Sequence, residues 1–130
     1  MCGGLGVIGD VMKTMVYQLC EHINKIEKEE MILESIIKKP PSAELRPNQL
    51  DRDSLPEYFI VDSVLKGYVE DCLSINEIAE KYHISQEQVI ELIQWIHKAE
   101  YKRRQGPPIL CVSQKPFGIG RRYPVVQKWL

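Results

Sequence analysis

Pro40, Pro41 and Pro47 impose the strongest local constraint on this 130-residue chain, because each proline fixes its own φ and turns its predecessor toward extended backbone. Residues 39–49 are therefore expected to run as a stiff, largely extended strap with little helix, lying between two helical regions. The strap is too polar to be a simple connector. It carries Lys39, Ser42, Glu44, Arg46, Asn48 and Gln49, and Asp51, Asp53 and Ser54 follow it. In a stiff strap, Lys39 and Arg46 can bind an anion and Ser42 can donate or accept a hydrogen bond at a small ordering cost.

The flanking sequence is helical in pattern. Between residues 11 and 29, Met12, Met15, Val16, Leu19, Ile23 and Ile26 recur at three- and four-residue steps, which predicts one amphipathic helix with this face in the core. Residues 31–37 fit a helical turn or a short strand. Three serines are each followed three residues later by Glu or Gln: Ser54 with Glu57, Ser74 with Glu77, and Ser85 with Gln88. Such capping boxes predict helices over 55–71, 75–82 and 86–104. Leu65, Tyr68, Val69, Ile78, Ala79, Val89, Leu92, Ile93 and Ile96 should turn inward. Gly106, Pro107 and Pro108 end the last helix, and the tail offers at most a short strand over 109–112. The chain thus reads as one mainly α unit in four parts: a first helix with an apolar segment (1–38), the strap (39–54), a helical hairpin region (55–105) and an irregular basic tail (106–130).

Its length suits a single core. A formal net charge of −1 gives no reason to expect a nucleic-acid or membrane partner. The charge is uneven, however. No Asp or Glu follows Glu100, whereas Lys102, Arg103, Arg104, Lys115, Arg121, Arg122 and Lys128 do, which suits either a phosphate-bearing ligand or a solvated tail. Cys2, Cys20, Cys72 and Cys111 form no CxxC pair, so metal-ligand spacing is missing and reduced thiols are expected. No apolar run approaches the roughly 20 residues of a membrane span, and the start lacks a signal-peptide pattern; the expectation is a cytoplasmic protein.

Few residues propose chemistry by themselves. Asp51 and Asp53 could ligate magnesium but are better read as loop caps. The cluster Gly3, Gly4 and Gly6 is a weak phosphate-cradle signal. His22, His83 and His97 occupy separate segments at the surface or core edge, so no catalytic set and no metal set is assigned. Residues 74–104 also read as a DNA-binding helix-turn-helix, with Ala79 allowing close approach and Ile84 plugging the turn. Against it, the second helix would present Gln86, Glu87, Glu91 and Gln94 to the phosphate backbone, which opposes electrostatic binding. A packed helical hairpin is the better reading, and a non-catalytic subunit-interaction fragment is a third.

The strap residues Lys39, Pro40, Pro41, Ser42, Ala43, Glu44, Leu45, Arg46, Pro47, Asn48 and Gln49, followed by Asp53, Ser54, Leu55 and Pro56, resemble the substrate loop of the glutamine-dependent bacterial NAD synthetases. Gly3 and Gly4 with Asp10, Val11, Lys13, Thr14, Val16 and Tyr17 resemble an earlier segment of that family. Glu100 to Gln105 in sequence, Pro107, Pro108, Phe117, Gly118, Gly120, Arg121, Arg122, Tyr123 and Pro124 resemble its C-terminal end. The resemblance implies the C-terminal half of a doubly wound α/β adenine-nucleotide α-hydrolase-like domain. It implies ATP contacts at Lys13 and Ser42 and deamido-NAD contacts at Lys102 and Tyr101. Lys39, Glu44, Arg46, Asn48 and Gln49 become substrate-loop residues. Gly9 and Met12 depart from the family pattern just ahead of Lys13, so a looser start to the first helix is expected. The family's Gly-rich SGGxDS loop for ATP is absent from this sequence, and its magnesium ligands are expected elsewhere than in these residues. The chain is therefore expected to be part of an active site, inactive alone, and to self-associate or to pair with the N-terminal half of a synthetase.

Overall fold

The computed structural model describes residues 4–116, 118, 120 and 122–126. Gly3, Phe117 and Arg121 of the expected motifs, together with Cys2 and Lys128, lie outside the described residues.

Helix α1 (Lys13–Glu27) is followed by the short α2 (Glu34–Ile37), a 3-10 turn (Asp51–Asp53), α3 (Tyr58–Leu65) running into a π turn (Lys66–Glu70), α4 (Ile75–Tyr82), α5 (Gln86–Lys98) and α6 (Glu100–Gln105). No strand forms among the described residues. The core lies where α3, α4 and α5 meet: Val64, Ile78, Ile84, Val89, Leu92 and Ile93 are buried, and Ile60, Val61, Tyr68, Leu73, Ile75, Ala79, Tyr82 and Trp95 pack around them. Helix α1 packs onto α3. Among the described residues, no helix is long and apolar enough to cross a membrane.

The α4–α5 hairpin follows from its caps. Ser74 Oγ accepts the Glu77 amide while the Glu77 carboxylate accepts the Ser74 amide at 2.8 Å, and Ser85 Oγ accepts the Gln88 amide at 3.3 Å. His83, left-handed at φ 56°, ends α4, and Ile84 drops into the core as the turn's plug. The small Gly67 lets the π turn approach α4: a Cβ there would stand 3.0 Å from Ile78 Cγ1.

Several expectations are corrected. Ser54 caps nothing. Its amide and that of Leu55 bond back to the Asp51 carbonyl, so the chain turns at 51–53 and α3 begins only at Tyr58, beyond Pro56. The helix expected over 86–104 breaks at Ala99. The Arg103 guanidinium takes the Ile96 carbonyl, which in an unbroken helix would accept the Glu100 amide. The strand over 109–112 is reduced to one parallel bridge, Gly6 with Ile109, and farther along the amides of Val112 and Ser113 bond to the Asp10 carboxylate and not to a strand. Of the two forms open to residues 31–37, the chain takes the helical turn, over Glu34–Ile37. His97 is buried, not at an edge, with Nε2 2.7 Å from the Tyr68 hydroxyl and its ring against Tyr123.

The largest correction concerns α1. None of its residues is buried, and Met15, Leu19, Ile23 and Ile26 are between 41% and 59% exposed, so the periodic face lies open. Met31, Leu33 and Ile36 are exposed as well.

Candidate functional site

The strap lines an open groove of about 470 Å³ that brings Lys39, Ser42, Glu44, Arg46, Asn48 and Gln49 together. All the substrate-loop residues expected from the sequence therefore share one surface. The strap is bent as well as extended, because Glu44 and Asn48 adopt left-handed φ values of 53° and 56°. Its own side chains hold the bends. Ser42 Oγ accepts the Glu44 amide at 3.0 Å, Gln49 Oε1 accepts the Leu45 amide at 3.1 Å, and the Asp51 amide closes the loop onto the Pro41 carbonyl at 3.0 Å.

Lys39 is not a free cation. Its Nζ lies 2.8 Å from Glu44 Oε1; this hydrogen bond, with the charge attraction added, raises the ammonium pKa and lowers that of the carboxyl. Both side chains are largely exposed, so the pair shapes the strap with little gain in stability. Arg46 is exposed, and no described side chain engages its guanidinium.

Lys13 begins α1 and stands in a second, more apolar cleft of about 260 Å³ with Tyr58, Asp62 and Lys115. Its Nζ lies 5.5 Å from the Tyr17 ring centre and 5.7 Å from that of Tyr58, within cation–π range of both. Asp62, 7% exposed, accepts the Thr14 amide at 2.8 Å and caps α1 from across the fold. The start of α1 is thereby fixed despite Met12, which supplies no side-chain cap. Lys115 donates to the Glu70 carbonyl at 2.7 Å and fastens the tail at the cleft wall.

The sequence singles out neither Tyr58 nor Asp62, and it offers Tyr17 only within the resemblance, with no role. Tyr58 lines the Lys13 cleft and also a small pocket with Pro40, Pro41, Leu50 and Asp51 at the base of the strap, so it connects the two regions. Its hydroxyl donates to the Asp51 carboxylate. Burial, and then that bond, raise the phenol well above its ordinary value. Asp51 is thus a tyrosine partner, while Asp53 caps the 3-10 turn by accepting the Leu50 amide at 2.9 Å. A Tyr seven residues beyond an Asp, across a proline, has no periodicity that would reveal the pairing.

Tyr101 and Lys102 lie exposed on α6 and line neither cleft; Lys102 Nζ is 6.0 Å from the Tyr101 ring centre. The helix that carries them is fastened by Glu100, 2% exposed, which accepts from Arg103 at 2.9 Å and Arg104 at 3.1 Å. Burial pushes this carboxyl up, but the hydrogen bonds from Arg104 and Arg103 outweigh it, and the result is a lowered value. Beside Lys13, where Gly9, Asp10 and Ser113 also line the cleft, the early Gly/Asp segment meets the tail. The Gly6 amide donates to the Pro108 carbonyl at 2.8 Å, and Asp10 binds the amides of Val112 and Ser113 and the Ser113 hydroxyl. A Cβ on Gly9 would come within 2.4 Å of Ile109 Cγ2, so this contact accounts for the glycine there.

Among the described residues, no three His, Cys, Asp or Glu side chains group closely enough to hold a metal ion. Cys20 and Cys111 are free thiols, and Cys72 Sγ accepts a hydrogen bond from the Lys115 ammonium at 2.6 Å.

A family model described as NAD synthase matches residues 1–106. The chain is 43% identical over 129 residues to a glutamine-dependent NAD(+) synthetase of Acinetobacter baylyi, covering 99% of this chain and 24% of the relative. It is 45% identical over 129 residues to the protein of the same description from Aquifex aeolicus, again covering 99% of this chain and 22% of the relative. Among solved structures, the glutamine-dependent NAD+ synthetase of Acinetobacter baumannii in complex with adenosine diphosphate aligns at a TM-score of 0.54 and 31% identity, over 93% of this chain and 20% of that one. The chain thus spans less than a quarter of the length of the relatives it matches.

Proposed function

The chain belongs to the NAD synthase family, and from that premise we propose that it forms the C-terminal portion of a synthetase domain that amidates deamido-NAD to NAD at the expense of ATP, using ammonia drawn from glutamine. The observation that carries this reading is the strap groove, in which every expected substrate-loop side chain faces one open surface. In the reaction, ATP activates the nicotinate carboxylate and pyrophosphate departs, so negative charge develops beside the nucleotide. Lys13 and Arg46 are the cations suited to receive it, by charge and position alone, and neither has to transfer a proton. Ser42, whose Oγ accepts the Glu44 amide, keeps its hydroxyl proton to donate to the nucleotide, and Lys102 with Tyr101 contacts deamido-NAD from α6.

Turnover by these 130 residues alone is not expected, because the resemblance assigns ATP activation to an SGGxDS loop that their sequence does not contain. The parent domain is the doubly wound α/β fold, located in the cytoplasm. The open face of α1 is then covered either by a second copy or by other segments of a synthetase. The helix-turn-helix reading is not favoured: Gln86, Glu87 and Glu91 sit exposed at the start of α5, an acidic and amide surface rather than a cationic one.

Calorimetric titration of the chain with ATP, with deamido-NAD and with a mixed-sequence DNA duplex at two salt concentrations tests the proposal. Nucleotide binding weakened by Arg46→Ala or Lys102→Ala supports it; salt-sensitive duplex binding without nucleotide binding overturns it.

A further inference from the structure

The strap is closed on itself by backbone, from the Asp51 amide to the Pro41 carbonyl, and its side-chain bonds among Lys39, Ser42, Glu44 and Gln49 are internal. Among the described residues, one side-chain hydrogen bond leaves the strap base for a helix: Tyr58, the first residue of α3, to the Asp51 carboxylate. The ring of the same tyrosine lies 5.7 Å from the Lys13 ammonium on α1. One side chain thus touches the base of the strap with its hydroxyl and the cation of the neighbouring cleft with its ring.

We propose that Tyr58 is a positioning residue that latches the strap base to the Lys13 cleft, so that Arg46 and Lys13 are set in one frame before any ligand arrives. This inference rests on the nucleotide reading above for its functional consequence, although the latch itself does not. A strap fastened at its base has already lost much of the backbone freedom that binding would otherwise have to remove. Tyr58→Phe separates the two contacts: it keeps the ring beside Lys13 and removes the bond to Asp51. Asp51→Asn weakens the same bond from the other side. Lys81→Met, which removes an exposed ion pair with Asp71 and lies in neither cleft, is the control.

Hydrogen exchange on the unliganded chain reads the latch directly. In Tyr58→Phe and in Asp51→Asn, amides of residues 42–55 should exchange about tenfold faster, as expected for one lost hydrogen bond to a charged group, while α4 and α5 stay protected. Unchanged exchange in the strap overturns the latch, and equal acceleration in α4 and α5 overturns it in favour of general destabilisation. ATP titration then reads its consequence. Each single variant should lose about five- to tenfold in affinity, and the double variant no more than either, because both remove one interaction. Additive losses, or none, refute the positioning role. If the unaltered chain binds no ATP while the exchange result holds, the nucleotide reading fails and the latch stands.

Discussion

Replacing Glu100 by glutamine should destabilise the fold by about 3 kcal/mol, out of the roughly 5–15 kcal/mol that holds an average domain together. The carboxylate is 2% exposed and serves two guanidinium groups, and the Arg103 side chain is itself only 7% exposed. Glutamine keeps the volume and one acceptor oxygen but removes the charge. The buried Arg103 guanidinium would then face a neutral amide in place of a carboxylate, while keeping its bond to the Ile96 carbonyl. Breaking a buried pair from one side costs about 3–5 kcal/mol, and the retained acceptor places this case at the lower end. With a urea dependence of about 1.5 kcal/mol per molar for a chain of this size, the midpoint should fall by about 2 M.

The pH dependence supplies a second check whose sign follows from the lowered Glu100 pKa. A carboxyl lowered in the folded state contributes stability that is fully present above its unfolded value of about 4.3 and is lost as pH falls through the folded value. The gap between the parent chain and Glu100→Gln should be full at neutral pH and should shrink once the pH drops below about 4. Urea unfolding followed by circular dichroism at several pH values measures it. A gap under about 1 kcal/mol at neutral pH, or one that does not change with pH, would refute the view that a charged, doubly bonded Glu100 fastens α6.

Three further outcomes follow from named contacts. Gly67→Ala should lower stability by about 1 kcal/mol in urea titration, since the new methyl meets Ile78 Cγ1 at 3.0 Å and Tyr82 Cε2 at 3.2 Å, and this outweighs the helical preference of alanine. Ser74→Ala should cost about 1 kcal/mol through loss of the α4 cap, visible as a lower thermal midpoint. Ile23→Lys, placed in the open face of α1, should shift sedimentation toward the monomer if that face pairs two copies, and should leave the thermal midpoint nearly unchanged because the side chain is 42% exposed.

What the sequence disclosed depended on how locally each feature is determined. The starts of α4 and α5 are legible from Ser74 and Ser85 because an N-cap, joined at Ser74 by the reciprocal Glu77 bond and at Ser85 standing alone, is complete within four residues. Ser54 has the same spacing to Glu57 yet forms no box, since the Asp51 carbonyl, three residues earlier, takes its amide first. The apolar face of α1 was correctly periodic and wrongly assigned to the core: periodicity shows that a helix has two faces but not what lies against them. His97 and Glu100 were invisible as buried groups because their partners, Tyr68 and Tyr123 for one and the arginine pair for the other, become neighbours only through helix packing and the break at Ala99.

The strap shows a different limit. Sequence reading treats its polar residues as a single ligand-facing set, and the groove does gather them. The hydrogen bonds divide that set by task. Ser42, Gln49 and the Lys39–Glu44 pair are spent on making two left-handed bends affordable for non-glycine residues, whereas Arg46 points into the groove's surroundings with no described side chain engaging it. A loop that shapes itself with its own polar groups does not need a ligand to acquire its form, so the cation it presents can act on a ligand's charge with little further ordering. The same logic explains why the strap base needs an outside anchor. Internal bonds fix the loop's shape but not its direction, and among the described side chains only the Tyr58 hydroxyl, reaching Asp51 from α3, supplies that.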